Sequence, residues 1–244
     1  MKLNHKTKKN FKKFIIDYFK DWTVFQTIWL ISFIILDFYL FFVMHDTVIG
    51  LIASVTGIIC VILTSKVRIS NYYFGIIQVV LYAYIAFQNR YYGEVILNLV
   101  YFLPMCVAGI YYWYKNRDQK KIDTALIKKI NTKEVIFWFL LSAIAIIVYG
   151  LILKSWGGQL PFVDASSTVL SITGMILTVR RAKEQWIIWI IGDIVSISMW
   201  VYVLVNTGND VSILIMWVAF LTNAFYGYYN WRKIEKTEPA RFRK

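Results

Sequence analysis

The chain is poor in the residues from which most enzymes build their sites. Only two histidines, His5 and His45, occur in 244 residues. No H-E-x-x-H, P-loop, G-x-G-x-x-G or G-x-S-x-G pattern is present. Hydrolytic, redox and nucleotide-driven chemistry therefore has no support here, and no cofactor is expected. The two cysteines, Cys60 and Cys106, lie inside apolar runs without metal-ligand spacing. That argues against both a disulfide framework and a metal site. Charge is scarce as well, at 17% of the chain, with 14 acidic residues against 27 basic ones. A soluble domain of this length needs more charged surface than that. No lysine lies deep in an apolar run, which excludes a retinal Schiff base.

What the chain has instead is apolar and aromatic: 59% hydrophobic residues and 18% aromatic, with a mean hydropathy of +0.55. Eight apolar runs recur: Thr23–Met44, Val48–Ser65, Asn71–Gln88, Glu94–Tyr114, Glu134–Leu153, Pro161–Val179, Gln185–Val205 and Val211–Trp231. Each is long enough, at about 1.5 Å rise per residue, to cross a hydrocarbon core of about 30 Å. The expectation is an all-α membrane protein of eight transmembrane helices. The basic start, MKLNHKTKKNFKKFIIDYFKDW, has the charge of a signal-peptide n-region. The run after it is too long and lacks a small-residue cleavage site, so a retained first span is expected.

The net charge of +13 would suggest nucleic acid in a soluble protein, but there is no soluble domain to bind it. The basic residues follow the spans instead. With a cytoplasmic N-terminus, segments 1–22, 66–70, 115–133, 180–184 and 232–244 face inside and hold 25 of the 27; only Arg90 and Lys154 fall elsewhere. This is the positive-inside pattern, with both termini cytoplasmic. A bacterial cytoplasmic membrane is the expected location.

The chain also looks duplicated. ILTSKVRISNYYFGIIQVV (62–80) resembles ILTVRRAKEQWIIWIIGDIV (176–195), and GIYYW (109–113) resembles GYYNW (227–231). The reading is two three-helix bundles, 48–114 and 161–231, joined by a linker helix at 134–153. An extra helix at 23–44 precedes them, and basic segments at 1–22 and 232–244 flank the whole. Because three helices reverse the chain, the linker helix lets the second bundle enter like the first. That is the parallel 3+1+3 arrangement of sugar-transporter-like (SWEET) bundles. Chance similarity between apolar helices is the competing explanation.

Candidate site residues concentrate in the seventh run, QWIIWIIGDIVSISMW. Trp186, Trp189 and Asp193 stand at i, i+3 and i+7 and share one helix face. Two indoles beside a carboxylate suit a flat, cationic heteroaromatic ring. A carboxylate in lipid is costly, so Asp193 should face a cavity or a partner. Interfacial anchoring is the alternative for the tryptophans, and a structural hydrogen bond for Asp193. Gln78, Asn98 and Asn223 either line the same cavity or join helices. Asp37, in the extra helix, is expected to serve packing or oligomerisation. Tyr72, Tyr73, Tyr91, Tyr92, Tyr111, Tyr112, Tyr228 and Tyr229 read as interfacial anchors. Pro104 interrupts the fourth run as a hinge or a static kink.

At SNYYFGIIQVVLYAYIAF (70–87), GEVILNLVYFLPM (93–105), PFVDASSTVLSITGMILTVRRAKEQWIIWIIGDIVSI (161–197) and NAFYGYYNW (223–231) the sequence resembles the Pnu-type vitamin transporters, best known through the PnuC branch. The sharpest element is W-x-x-W-x-x-x-[ND], carried by Trp186, Trp189 and Asp193. The resemblance implies a homotrimer in the lipid bilayer with nicotinamide riboside bound mid-membrane between the bundles. It implies facilitated diffusion made one-way by a cytosolic kinase, with no required contact between kinase and carrier. It also implies departures: relatives carry an amide at Cys106, a tryptophan at Ile110 and commonly asparagine at Asp193. Thiamine, deoxynucleosides and riboflavin are alternative cargoes. A ligand-binding membrane receptor and a proton-coupled symporter using Asp193 are alternative mechanisms.

Overall fold

The structure, a computed structural model, describes residues 18–19, 22–44, 47–88, 90, 92–157, 160–207, 211–239 and 242–243. The expected N-terminal segment 1–22 therefore lies almost wholly outside the described residues, as do His45, Tyr91 and parts of the tail. Eight helices run through the described residues: α1 (Val24–Met44), α2 (Val48–Ser65), α3 (Asn71–Gln88), α4 (92–115), α5 (Thr132–Ser155), α6 (Pro161–Val179), α7 (Gln185–Thr207) and α8 (Val211–Thr237). Two short strands, β1 (Ile127–Lys128) and β2 (Phe242–Arg243), pair in parallel. The helices coincide with the eight apolar runs to within a few residues.

Among the described residues, five segments are long and apolar enough to cross a membrane: Val24–Val43, Val48–Ser65, Glu94–Lys115, Thr132–Ser155 and Pro161–Val179. In α3 two glutamines, an asparagine and four tyrosines lower the hydropathy, and in α7 the described apolar stretch is the shorter Gln185–Met199. Large apolar side chains turn outward: Ile35, Val100, Leu140 and Ile144 are each more than half exposed. Asn71, Gln185, Asp193 and Asn223 are buried. Such an inverted surface suits a hydrocarbon solvent and would drive aggregation in water.

Local chemistry sets the helix ends. The Thr47 hydroxyl accepts from Gly50 N–H at 3.0 Å, and the Asn131 side chain accepts from Glu134 N–H at 2.7 Å. Both satisfy backbone donors at a helix start. Pro161 opens α6, where its missing N–H costs nothing. The expected break at Pro104 takes a definite form. Residues Leu97–Phe102 are π-helical, and Leu103 N–H reaches back to Asn98 O. The widened turn precedes the proline, so α4 continues past it to Lys115. Helices α7 and α8 run beyond the expected ends, to Thr207 and Thr237. The segment after Trp231 is thus partly helix and strand, not a plain tail.

The two duplicated segments fold alike in detail. Each of α2 and α6 ends in a turn whose next residue is left-handed, Val67 at φ 60° and Arg181 at φ 60°. Arg68 N–H bonds Leu63 O at 2.9 Å and Val67 N–H bonds Thr64 O at 2.9 Å. At matching positions Ala182 N–H bonds Leu177 O at 3.0 Å and Arg181 N–H bonds Thr178 O at 2.9 Å. Both sets form the Schellman pattern, here without the usual glycine.

The halves also exchange contacts. Helix α4 packs on α6, and α8 packs on α2. The Trp113 indole donates to Thr178 O at 2.9 Å, while the Trp231 indole donates to Thr64 O and Ser65 O at 3.3 and 3.1 Å. Tyr72 meets Trp113 edge-on at 5.2 Å, as Trp186 meets Trp231 at 5.8 Å. Trp113 and Trp231 then touch each other at 6.3 Å. The segment between α4 and α5 spans both turns: Ala125 N–H bonds Val67 O at 3.0 Å, and Lys128 N–H bonds Arg181 O at 2.9 Å.

Candidate functional site

Helix α7 presents Trp186, Trp189 and Asp193 inward. Trp186 and Asp193 are each 3% exposed and Trp189 is partly buried. None of the three is turned out toward the hydrocarbon. Trp186 and Trp189 belong to one apolar cluster with Tyr72, Cys106, Met175 and Ala224, which draws on both halves. Trp186 lies closest to the turn. Its ring rests on Gly227, where a β-carbon would come within 2.5 Å of the indole. That close approach requires glycine.

Trp189 is held from two sides by α6. A β-carbon at Gly174 would lie 2.8 Å from the Trp189 ring, so the indole packs flat against bare backbone. Its N–H donates to the Thr178 hydroxyl at 3.1 Å. That hydroxyl in turn donates to Gly174 O at 2.8 Å. Sequence reasoning missed Gly174 and Thr178. Their spacing of one helical turn was visible, but nothing in it pointed to a tryptophan on the next helix.

Asp193 makes no hydrogen bond or ion pair among the described residues. A buried carboxylate without a partner is costly, and such groups mark sites where a ligand or water supplies the missing contacts. Other buried polar atoms are similarly unsatisfied among the described residues: Trp186 Nε1, Tyr72 Oη, both polar ends of the Gln185 amide and Asn223 Oδ1. These five lie on α3, α7 or α8, and Trp138 Nε1 of α5 and Trp22 Nε1 are unsatisfied as well.

The remaining candidates sit apart from one another. Asn223 is 3% exposed and donates to Val61 O at 3.2 Å, joining α8 to α2. Its orphaned oxygen keeps it available to a ligand. Gln78 packs its aliphatic stem on Gly57. Asn98 donates to Glu94 O at 2.8 Å and supplies the carbonyl of the π-turn. No hydrogen bond links any two of Trp186, Trp189, Asp193, Gln78, Asn98 and Asn223. Asp37 accepts from the Ser54 hydroxyl at 2.9 Å, tying α1 to α2. Among the anchoring tyrosines, Tyr73, Tyr92, Tyr111, Tyr112 and Tyr229 are exposed, whereas Tyr72 is 2% exposed and belongs to the core. The expectation for Tyr72 is thus corrected: its ring is needed to fill the space above Gly109, where a β-carbon would be 2.2 Å away.

A family profile described as "Nicotinamide mononucleotide transporter" matches residues 47–233. This chain belongs to that family. Its members, which include the PnuC proteins, are membrane transporters and not enzymes. The chain is 35% identical to a nicotinamide riboside transporter PnuC of Neisseria mucosa, over 89% of this chain and 84% of that protein. It is 30% identical to a protein of the same name from Haemophilus influenzae, over 90% of this chain and 95% of the other. A crystal structure of a vitamin B3 transporter PnuC superposes with a TM-score of 0.78 at 33% identity, covering 91% of this chain and 97% of that one. The family profile begins at residue 47, so α1 stands outside it, whereas the PnuC proteins cover 89 and 90% of the chain and so take in part of α1.

Proposed function

We propose that this PnuC-family chain carries nicotinamide riboside across the bacterial cytoplasmic membrane by facilitated diffusion. The observation that carries the reading is the pairing of Trp189, pinned flat by Gly174 and Thr178, with a buried and unpartnered Asp193 one turn away. A permanently cationic pyridinium ring answers both groups. The indole face attracts the cation, and the carboxylate gains the opposite charge it lacks. Asn223 Oδ1, an unsatisfied acceptor, suits a ribose hydroxyl. Gln78 and Asn98 complete the proposed substrate-binding set, and Trp186 closes its floor.

In this reading all eight helices cross the membrane, both termini are cytoplasmic, and two three-helix bundles rock about the site in a SWEET-like manner. The matching turns and the exchanged tryptophan bonds support that symmetry. Net uptake comes from phosphorylation of the arriving nucleoside by a cytosolic kinase, and the carrier works as a homotrimer. Counterflow in proteoliposomes is the test. Vesicles loaded with unlabelled nicotinamide riboside should transiently concentrate the labelled compound, with no ion gradient. Absence of counterflow, as a receptor would give, sinks the proposal. Accumulation that requires a proton gradient replaces it with a symporter.

A further inference from the structure

The first half differs from the second at one station. Where α7 carries Trp189, the corresponding position of α3 is Gly75, and where α6 carries Gly174, α2 carries Cys60. The space an indole fills in one half is flanked in the other by sulfur. A β-carbon at Gly75 would lie 3.2 Å from Cys60 Sγ and 3.5 Å from Cys106 Sγ. Both sulfurs therefore converge on one point, and the gap between them is bounded by the sum of those distances. Cys60 comes from α2 and Cys106 from α4, and the bare backbone of α3 puts no side chain between them. Both thiols are free. Cys106 is 4% exposed and belongs to the cluster that joins the two halves.

We propose that Cys60 and Cys106 form a two-thiolate site for a soft, linear, two-coordinate divalent cation, of which the mercuric ion is the type. A linear sulfur–metal–sulfur unit spans about 4.6 Å, twice a metal–thiolate bond of about 2.3 Å, which is less than the upper bound those two distances set on the sulfur–sulfur separation. Thiolates select soft metals. Charge selects among these. Two S–H bonds break, two Hg–S bonds form, two protons leave and no electron is transferred. The product is neutral, which a hydrocarbon interior tolerates. A monovalent silver or copper ion at the same pair would leave one negative charge, which that interior penalises. Zinc and cadmium want four ligands, and no cluster of three or more His, Cys, Asp or Glu able to hold a metal exists among the described residues. The bridge ties α2 to α4 across α3 and pushes on the cluster shared by both halves, so its capture stops transport.

These are the only two cysteines of the chain, so thiol counting reads this pair alone. Purified full-length protein in lipid vesicles is titrated with mercuric chloride, then denatured and assayed for free thiols. One equivalent should block both, and the ultraviolet mercury–thiolate band should saturate at the same point. In Cys60→Ser and Cys106→Ser, a competing monothiol should release the ion at about a hundredfold lower concentration than in the parent, because the chelate is lost. A requirement for two equivalents, equal retention by the single variants, or covalently linked chains on a denaturing gel overturns the site. Uptake by both serine variants should persist at mercury levels that silence the parent; equal sensitivity overturns the coupling to transport. The stoichiometry needs no substrate, so its failure is separable from failure of the proposed cargo.

Discussion

Asp193 has the most exposed role energetically. A carboxylate that is 3% exposed and lacks partners among the described residues gains most from a cationic ligand. Asp193→Asn keeps the shape, and with it the fold, but removes the charge. It is expected to raise the KM for nicotinamide riboside by about tenfold or more while sparing neutral nucleosides, read by uptake competition. Trp189 makes a different contribution. Trp189→Ala should abolish saturable uptake and lower stability by about 3 kcal/mol or more, because the indole packs on Gly174 and into the shared cluster. Unchanged uptake in that variant would remove the stacking role.

Between helices, the exchanged tryptophans help to hold the two halves in register. Trp113 and Trp231 are fully buried, and each caps the end of a helix in the opposite half. Trp113→Phe and Trp231→Phe would each remove one hydrogen bond from a carbonyl that keeps another donor, Arg181 N–H at Thr178 O and Asn230 Nδ2 at Ser65 O, at an expected cost of about 1 kcal/mol besides the lost packing. Thermal unfolding should show similar drops for the two, as their matched geometry requires. The rings touch, so the double variant should depart from additivity. A large effect in one and none in the other would show that the halves are not equivalent supports.

On the scale of the molecule, the segment between α4 and α5 acts as a clasp, bonded to the left-handed turns of both halves. Asp123 anchors it by accepting from Ser70 N–H at 3.1 Å. Burial pushes this carboxyl up from its ordinary 3.8, against the hydrogen bonds from Ser70 and the charge of Arg68. The folded chain thus holds the proton more tightly than the unfolded one. Its share of stability is full below the ordinary value and is lost as pH rises through the raised one. Asp123→Asn cannot titrate, so the melting-temperature difference, variant minus parent, should grow from about pH 4 to about pH 7. A flat difference would show the group does not feel its burial. Native mass spectrometry checks the proposed trimer, with three chains per particle as the expected mass.

The eight helices were legible because apolar period and length are local properties of the chain, although the ends of α7 and α8 were not. Lipid as solvent leaves few alternatives for an apolar run of about 20 residues. The face bearing Trp186, Trp189 and Asp193 was legible for the same reason, since helical spacing alone aligns it. What spacing could not reach was decided by contacts between segments far apart in sequence. Gly174 and Thr178 fix Trp189 from another helix, Tyr72 moves from anchor to core because Gly109 makes room, and Cys60 meets Cys106 only over Gly75. The strand Phe242–Arg243 forms because β1, in the distant segment between α4 and α5, pairs with it. Sequence determines which stretches become helices and which way their faces point. Tertiary structure alone decides which faces meet, because packing depends on the shape of the partner as much as on the residue itself.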